Sequence, residues 1–240
     1  DIRKILNKLP EERQSLFFSA TMPKNIIDLS SQILKYPKRI SVDPVSSTAE
    51  TIKQYIYYTN KSSKKNLLLY ILKDKSINQL LLFSRTKHGA DRIVKNLRKK
   101  NIQALAIHGD KSQNQRQNAL KSFKDLQIRV LVATDIAARG IDISNLPFVV
   151  NYDMPTYPND YIHRIGRTGR AGQEGTAISF MSIDEHKFLR GIENLLKNKI
   201  DQKIEEGFKP TAKPSSTPKS RNFRGNKSNF SRGKPGGNSK

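Results

Sequence analysis

The sequence contains no cysteine, which excludes disulfides, thiolate metal sites such as zinc fingers, and cysteine nucleophiles. Acidic residues are scarce: 21 Asp and Glu stand against 44 Lys and Arg, a formal net charge of +23 over 240 residues. Such an excess points to a polyanionic partner, nucleic acid first. An anionic membrane would call for a basic amphipathic helix or a long apolar span, and the sequence has neither, so no membrane partner is expected. No initiator Met and no signal-type apolar core open the chain, so it reads as cut from a longer protein. The lack of cysteine fits a reducing cytoplasm, the expected location. A hydrophobic content of 35% suffices for the core of one ordinary domain but need not extend to the whole length.

Apolar residues 16–18 read as a buried strand, and Pro23 starts a helical pattern through Ile26, Ile27, Leu29, Ile33 and Leu34 that Pro37 stops. A Ser/Thr-rich stretch from Asp43 to Thr48 then marks a boundary. The chain therefore divides into a segment 1–43, a linker 44–51, a body 52–208 and a tail 209–240. In the body, Ile52, Gln54, Ile56 and Tyr58 share one face of an alternating run, and a Lys-rich helix follows with Leu68, Leu69 and Leu72 on its apolar side. Strands at 80–83, 104–107 and 130–133 alternate with helices at 90–99 and 113–123, the spacing of βα units and so of a parallel sheet. Two further strands at 148–150 and 177–180 flank a helix near 161–164, and a last helix covers 185–197. The tail has six Lys, three Arg and no acid among many Ser, Asn, Gly and Pro, a composition of disorder. Its Phe223 and Phe230 lie beside Arg224-Gly225 and Arg232-Gly233, so rings and guanidinium groups together suit unpaired nucleic acid. A purely solubilising tail is the plainer alternative.

The densest chemical signal is His163-Arg164-Ile165-Gly166-Arg167-Thr168-Gly169-Arg170. Planar guanidinium groups bind phosphate through paired hydrogen bonds, and Arg167 and Arg170 suit charge developing on a transferred γ-phosphoryl group. If these arginines formed only surface ion pairs they would need carboxylates close by, and the loop offers Asp160 and Glu174 alone. A second cluster, 133–142, directly follows a strand, where functional loops of parallel sheets emerge. There the Thr134 hydroxyl and the amides around Gly140 can hold a phosphate, while the Asp142 carboxylate can accept from a ribose hydroxyl. Taken singly, Thr134 or Thr86 could be a cap, His108 a satisfied loop histidine, and Gln113 with Arg116 a solvated first helical turn.

In order and separation the two clusters resemble motifs V and VI of the DEAD-box RNA helicases. Ser19-Ala20-Thr21 resembles motif III, Phe83-Ser84-Arg85-Thr86 motif IV, and Gln113-Asn114-Gln115-Arg116 the Gln-x-x-Arg motif. The likeness covers roughly residues 1–200, and the stretch 108–113 with the Arg/Gly-bearing tail resembles the bacterial RhlE-like branch. It implies a RecA-like α/β fold, a parallel sheet with helices on both faces, in the body. Segment 1–43 would be the end of a first RecA-like domain that closes with the second over ATP, Mg²⁺ and RNA. By position, Asp142 and Gly140 would hold the nucleotide, Arg167 and Arg170 would act as arginine fingers, and His163 with Arg139 would couple the domains. Gln113, Arg116, Thr134, Arg85 and Thr86 would contact RNA, and Ser19 and Thr21 would link nucleotide state to RNA binding. Backbone contact implies RNA binding without sequence preference, single-stranded or structured. The implied protein is a monomer that acts on ribosome precursors or with the RNA degradation machinery.

Neither Gly-x-x-x-x-Gly-Lys-Ser/Thr nor Asp-Glu-Ala-Asp occurs in the sequence. Without P-loop amides and lysine little cradles the phosphates, so negligible ATPase activity is expected of this chain alone, metal ligands included among what it lacks. Two other functions share parts of the pattern: a motor-less RNA chaperone would give the paired arginines no purpose, and a DNA helicase of the same superfamily would differ at the 2′-hydroxyl. Apart from the rest of its sheet, 16–18 should expose apolar surface. Its amides are expected to exchange faster than those of 80–83, as hydrogen-exchange mass spectrometry would measure; equal protection would contradict this.

Overall fold

The computed structural model describes residues 2–19, 22, 24–41, 52–141, 143–169 and 174–209. The expected linker 44–51, the tail from residue 210, and Thr21, Asp142 and Arg170 lie outside the described residues. Short helix α1 (Ile2–Leu6) and helix α2 (Lys24–Ile33) occupy the first segment. No strand forms at 16–18, contrary to the pattern of that run, and Leu16 and Phe18 are 72% and 86% exposed. The physical reason is that a strand needs a neighbour to satisfy its ladder, and among the described residues none pairs with it.

Seven parallel strands form one sheet: β1 (Ile52–Tyr58), β2 (Leu80–Phe83), β3 (Ala104–Ile107), β4 (Val130–Ala133), β5 (Phe148–Asn151), β6 (Gly175–Met181) and β7 (Asp201–Lys203). Their spatial order is β3-β4-β2-β5-β6-β1-β7. Helices α3 (Lys64–Ile71), α4 (Lys87–Arg98), α5 (Gln113–Lys124), α6 (Asp135–Ala138), α7 (Pro158–Ile165) and α8 (His186–Leu196) connect them. The strand-to-helix spacing anticipated most of this. Two elements escaped it: β7, whose three residues are all exposed, and the one-turn α6.

The period of two along each strand divides the core between the sheet faces. Leu80 and Leu82 pack with Leu67, Leu68, Ala90, Ile93 and Leu97 of α3 and α4. Leu81 and Phe83 turn the other way, onto Ala119 and Phe123 of α5 and Ala137 and Ala138 of α6. A third cluster joins Ile52 and Ile56 of β1 and Ala177 and Met181 of β6 to Tyr161, Ile165, Leu189 and Ile192 of α7 and α8. Burial on both faces explains why β2 and β4 read as unbroken apolar runs. Register brings Phe83 level with Ala133 on one side and Asn151 on the other. The loops after β2, β4 and β5 therefore open together at the carboxyl edge. The chain moves off in opposite directions from β2 and β5, which makes this a switch point of the kind where open α/β sheets bind ligands. None of the described helices is long and apolar enough to cross a membrane.

Leu82 is fully buried in the central strand, so Leu82→Ala should cost roughly 2–5 kcal/mol in urea unfolding. Phe18→Ala, by contrast, should change it by no more than about 0.5 kcal/mol.

Candidate functional site

Arg164 lies in the last turn of α7 and is 2% exposed. Its Nε and Nη2 donate to the two carboxylate oxygens of Asp135, at 2.6 and 2.8 Å. Nη1 donates to Asn151 Oδ1 at 3.2 Å and to the Asp153 carbonyl at 2.7 Å, and the guanidinium stands 5.1 Å from the Phe83 ring centroid. One side chain thus binds the loops after β2, β4 and β5. The expectation that the arginine cluster has only Asp160 and Glu174 as carboxylate neighbours is corrected here: Asp135, from the other cluster, is the partner, and Glu174 pairs with Lys53 at 2.5 Å. Of the two described arginines in this run, 164 is the buried one, with all its donors on protein.

Arg139, His163 and Arg167 line one small cleft of about 20 Å³ together with Asp135, Asp160 and Arg164. The structure therefore brings the two sequence clusters to a single place. Arg139 extends from the end of α6, 66% exposed, and its Nη2 donates to Asp160 Oδ1 at 2.9 Å. Nη1 of Arg167 donates to the carbonyls of Ile141 and Ile143, at 3.1 and 3.4 Å. Those carbonyls flank position 142, so the loop proposed to hold the ribose also orients the expected finger. Gly140 adopts φ +72°, a left-handed conformation that favours glycine and that turns the chain out of α6. The arginine loop is fixed from below. Leu146 N–H donates to the Arg167 carbonyl at 3.0 Å, and the Thr168 hydroxyl donates to the Leu146 carbonyl. Gly175 packs so tightly under this turn that a Cβ would come within 2.4 Å of Gly169 N, so only glycine fits.

The Gln-x-x-Arg pair opens α5. Ser112 and Gln115 form a capping box, each side chain bonding the other's backbone N–H, which sets Gln113 and Arg116 on the first turn. Arg116 Nη2 reaches the Ala137 carbonyl of α6 at 3.4 Å and Nη1 reaches Gln113 Oε1 at 3.4 Å. Its Nε is buried without a hydrogen-bond partner among the described residues. Thr134 precedes α6 half-buried, and its hydroxyl makes no cap bond to the helix, so the plain capping role does not account for it. Thr86 does cap: its hydroxyl accepts from Gly89 N–H at 3.0 Å. Ser19 is exposed.

Arg85, expected at RNA, already has protein partners. Its Nη2 donates to Glu185 Oε1 at 2.8 Å and to the Met154 carbonyl at 3.2 Å. Glu185, buried after β6, was not singled out from sequence. Its Oε2 lies 2.5 Å from the Lys64 ammonium, which is 2% exposed and also donates to the Tyr152 carbonyl at 2.8 Å. The same carboxylate accepts from Ser182 N–H, the Ser182 hydroxyl and Met154 N–H. Asp153 completes the arrangement by accepting from Arg85 N–H at 2.9 Å and the Ser84 hydroxyl at 3.3 Å. Besides Ser84 and Arg85, the sequence traces of this network are a lysine at the start of an otherwise apolar-faced helix and the Ser182-x-x-Glu185 capping pattern. Burial pushes the pKa of the nearby Tyr152 phenol up to about 12. Among the described residues no group of three or more His, Asp or Glu side chains could hold a metal ion.

A parallel sheet with an arginine-lined cleft at its carboxyl edge is the architecture of a RecA-like helicase domain, and the profile described as Helicase conserved C-terminal domain matches residues 63–172. The crystal structure of the E. coli DEAD-box protein SrmB bound to regulator of ribonuclease activity A is similar at 34% identity and a TM-score of 0.65, covering 69% of this chain and 98% of that one. S. cerevisiae Dbp5 bound to RNA and ADP BeF3 is similar at 28% identity and a TM-score of 0.75, over 84% of this chain and 54% of that one. The DEAD-box ATP-dependent RNA helicase CshA of Bacillus subtilis (strain 168) is 41% identical over 201 residues, 84% of this chain and 41% of its own length. The chain belongs to the DEAD-box family. It spans less than half the length of the CshA relative.

Two ion pairs in this site should differ sharply in worth. Glu185→Gln removes the 2.5 Å counter-charge of the buried Lys64 ammonium and leaves it only Asp153 at 3.8 Å, so it should cost roughly 3 kcal/mol in urea unfolding. Arg139→Ala removes an exposed pair and should cost under about 1 kcal/mol.

Proposed function

We propose that the protein to which this chain belongs is an ATP-dependent RNA helicase. It unwinds or remodels short RNA duplexes or RNA–protein complexes as two RecA-like domains close over ATP and RNA. Residues 52–208 form the second of these domains, 1–43 the end of the first, 44–51 the linker and 209–240 a basic RNA-associating tail. The observation that carries this reading is the convergence of Arg139, His163 and Arg167 on one cleft at the carboxyl edge of the sheet. The Dbp5 likeness supports it, since that protein is bound to RNA and ADP BeF3.

In this reading Arg167 and Arg170 are the arginine fingers that stabilise charge on the transferring phosphoryl group, with Asp142 and Gly140 at the nucleotide. Arg139 and His163 couple the domains, and Ser19 and Thr21 relay nucleotide state. Gln113, Arg116 and Thr134 hold the RNA backbone, with Thr86 and Arg85 shaping the same surface; Arg85 does so through Glu185. The Mg²⁺ ligands and the phosphate-cradling amides come from the first domain. Within the family we place the chain near the CshA branch on its 41% identity, in preference to the RhlE-like branch expected from the 108–113 stretch and the tail. The protein works in the cytoplasm as a monomer, on ribosome precursors or with RNA-degrading enzymes.

The test is RNA-stimulated ATP hydrolysis by this chain fused to a first RecA-like domain that carries a P-loop. Arg167→Ala and Arg170→Ala should each lower the turnover about 10³-fold or more while RNA binding persists, as expected of finger arginines. The chain alone should show no turnover above background. Full activity in both variants would reassign the fingers, and an inactive but folded wild-type fusion would favour a motor-less RNA-binding role.

A further inference from the structure

β3 stands at the end of the sheet, with β4 on one side and no strand on the other among the described residues. A groove of about 710 Å³ runs along that free edge. Its walls come from both faces of the sheet, since α4 packs in the core cluster on one face and α5 in the cluster on the other. A channel with a strand edge at its floor and a helix on either side has the shape of one more strand.

Backbone polarity agrees. The Gln103 carbonyl accepts from Arg129 and Val130 N–H, and the Ile107 carbonyl accepts from Thr134 N–H, so the odd residues of β3 face β4. By the period of two, Ala104 and Ala106 direct their peptide groups away from β4, and Ala106, 8% exposed, lines the groove. The Arg98 guanidinium Nε donates to the Ala104 carbonyl at 2.9 Å, which leaves Ala106 at the centre of the open edge.

The lining then selects the occupant. Val94, Ala106 and Ala119 supply an apolar floor, while Lys95, Lys99 and Lys111 rim it with positive charge. Among the described residues one acid stands on the rim, Asp91, and it is already taken by Lys111 at 2.9 Å, with His108 Nε2 at 3.1 Å. Burial works upward on the Asp91 carboxyl, but those two neighbours hold it below its ordinary value, so it stays charged and engaged. The chain's own tail, with nine basic residues and no acid, is repelled from such a rim. Single-stranded RNA would meet the charge, but among the described residues no aromatic side chain lines the groove to stack a base.

We propose that this groove binds an extended, acidic and otherwise apolar segment of a partner protein, which adds to the sheet beside β3 as a further parallel or antiparallel strand. Main-chain bonds to Ala106 give affinity, alternate apolar side chains fill the floor, and carboxylates meet Lys95 and Lys99. The site lies outside the arginine cleft and does not depend on the motor reading. The plainer role of these lysines, to keep a bare edge from pairing with other chains, predicts no binding at all.

The experiment uses the full chain and a short fluorescent peptide that alternates valine with glutamate, read by anisotropy, with a valine–lysine peptide and an oligouridylate as comparisons. The glutamate peptide should bind, the lysine peptide should not, and Ala106 should gain amide protection on binding. Lys95→Glu combined with Lys99→Glu should weaken binding about tenfold or more, and so should Ala106→Pro, which removes the edge donor without touching the β4 ladder. The charge-reversal variant lies on exposed positions on and just after α4 and keeps the test valid if the proline variant unfolds. The proposal fails if the glutamate peptide does not bind, or binds all variants equally. It fails also if oligouridylate displaces it and is weakened by charge reversal alone, which would make the groove an RNA path.

Discussion

Arg164 is the side chain on which the carboxyl edge of this domain is set. It is buried, and it spends all its directions on protein: a bidentate pair with Asp135, a bond to Asn151, a bond to the Asp153 carbonyl and a face on Phe83. Asp135 begins the loop after β4, Phe83 ends β2, and Asn151 ends β5. A planar guanidinium with fixed donors makes this possible, where a lysine would offer one unoriented charge. The energy of such a buried pair is offset in large part by desolvation, so its worth lies in fixing one relative placement of three loops.

The arginines proposed for function hang on that placement. Arg139 leaves the same helix turn that Asp135 begins, and His163 and Arg167 flank Arg164 in sequence. Fixing Arg164 therefore fixes the base from which each projects into the cleft. Arg167 is further steered by the carbonyls of Ile141 and Ile143, and its loop is held down by Thr168 and the close approach of Gly175. Preorganisation of this kind matters for charge stabilisation, because donors already aimed need no reorganisation when charge develops.

A second buried centre, Glu185 with Lys64, does the same for the loop after β2. It takes up Arg85, whose guanidinium also lies 5.9 Å from the Phe188 ring. The residues that aim the motif side chains thus come partly from the motifs themselves, as Arg164 and Asp135 do, and partly from outside them, as Lys64 and Glu185 do. The first are grouped in short stretches of sequence; Glu185 lies 121 positions from Lys64 and 100 from Arg85.

What the sequence determined by itself was local or periodic. Strand and helix positions in the body follow from apolar alternation and spacing, and the two clusters announce themselves because Thr134 and Asp142 sit in a glycine-punctuated run directly after a strand and Arg167 and Arg170 in a dense run of arginine and glycine. The exposed β7 lacked a hydrophobic signal, and the run 16–18 carried one without a neighbouring strand to honour it. Only the tertiary structure decided which arginine is structural. Three arginines at equal spacing are alike in sequence, and what sets 164 apart is its burial against a carboxylate on another loop. It also decided that β3 is an edge, since strand order depends on where each crossover lands and not on any strand's own residues. Local chemistry is written along the chain, but counter-charges and edges exist only between segments the fold brings together.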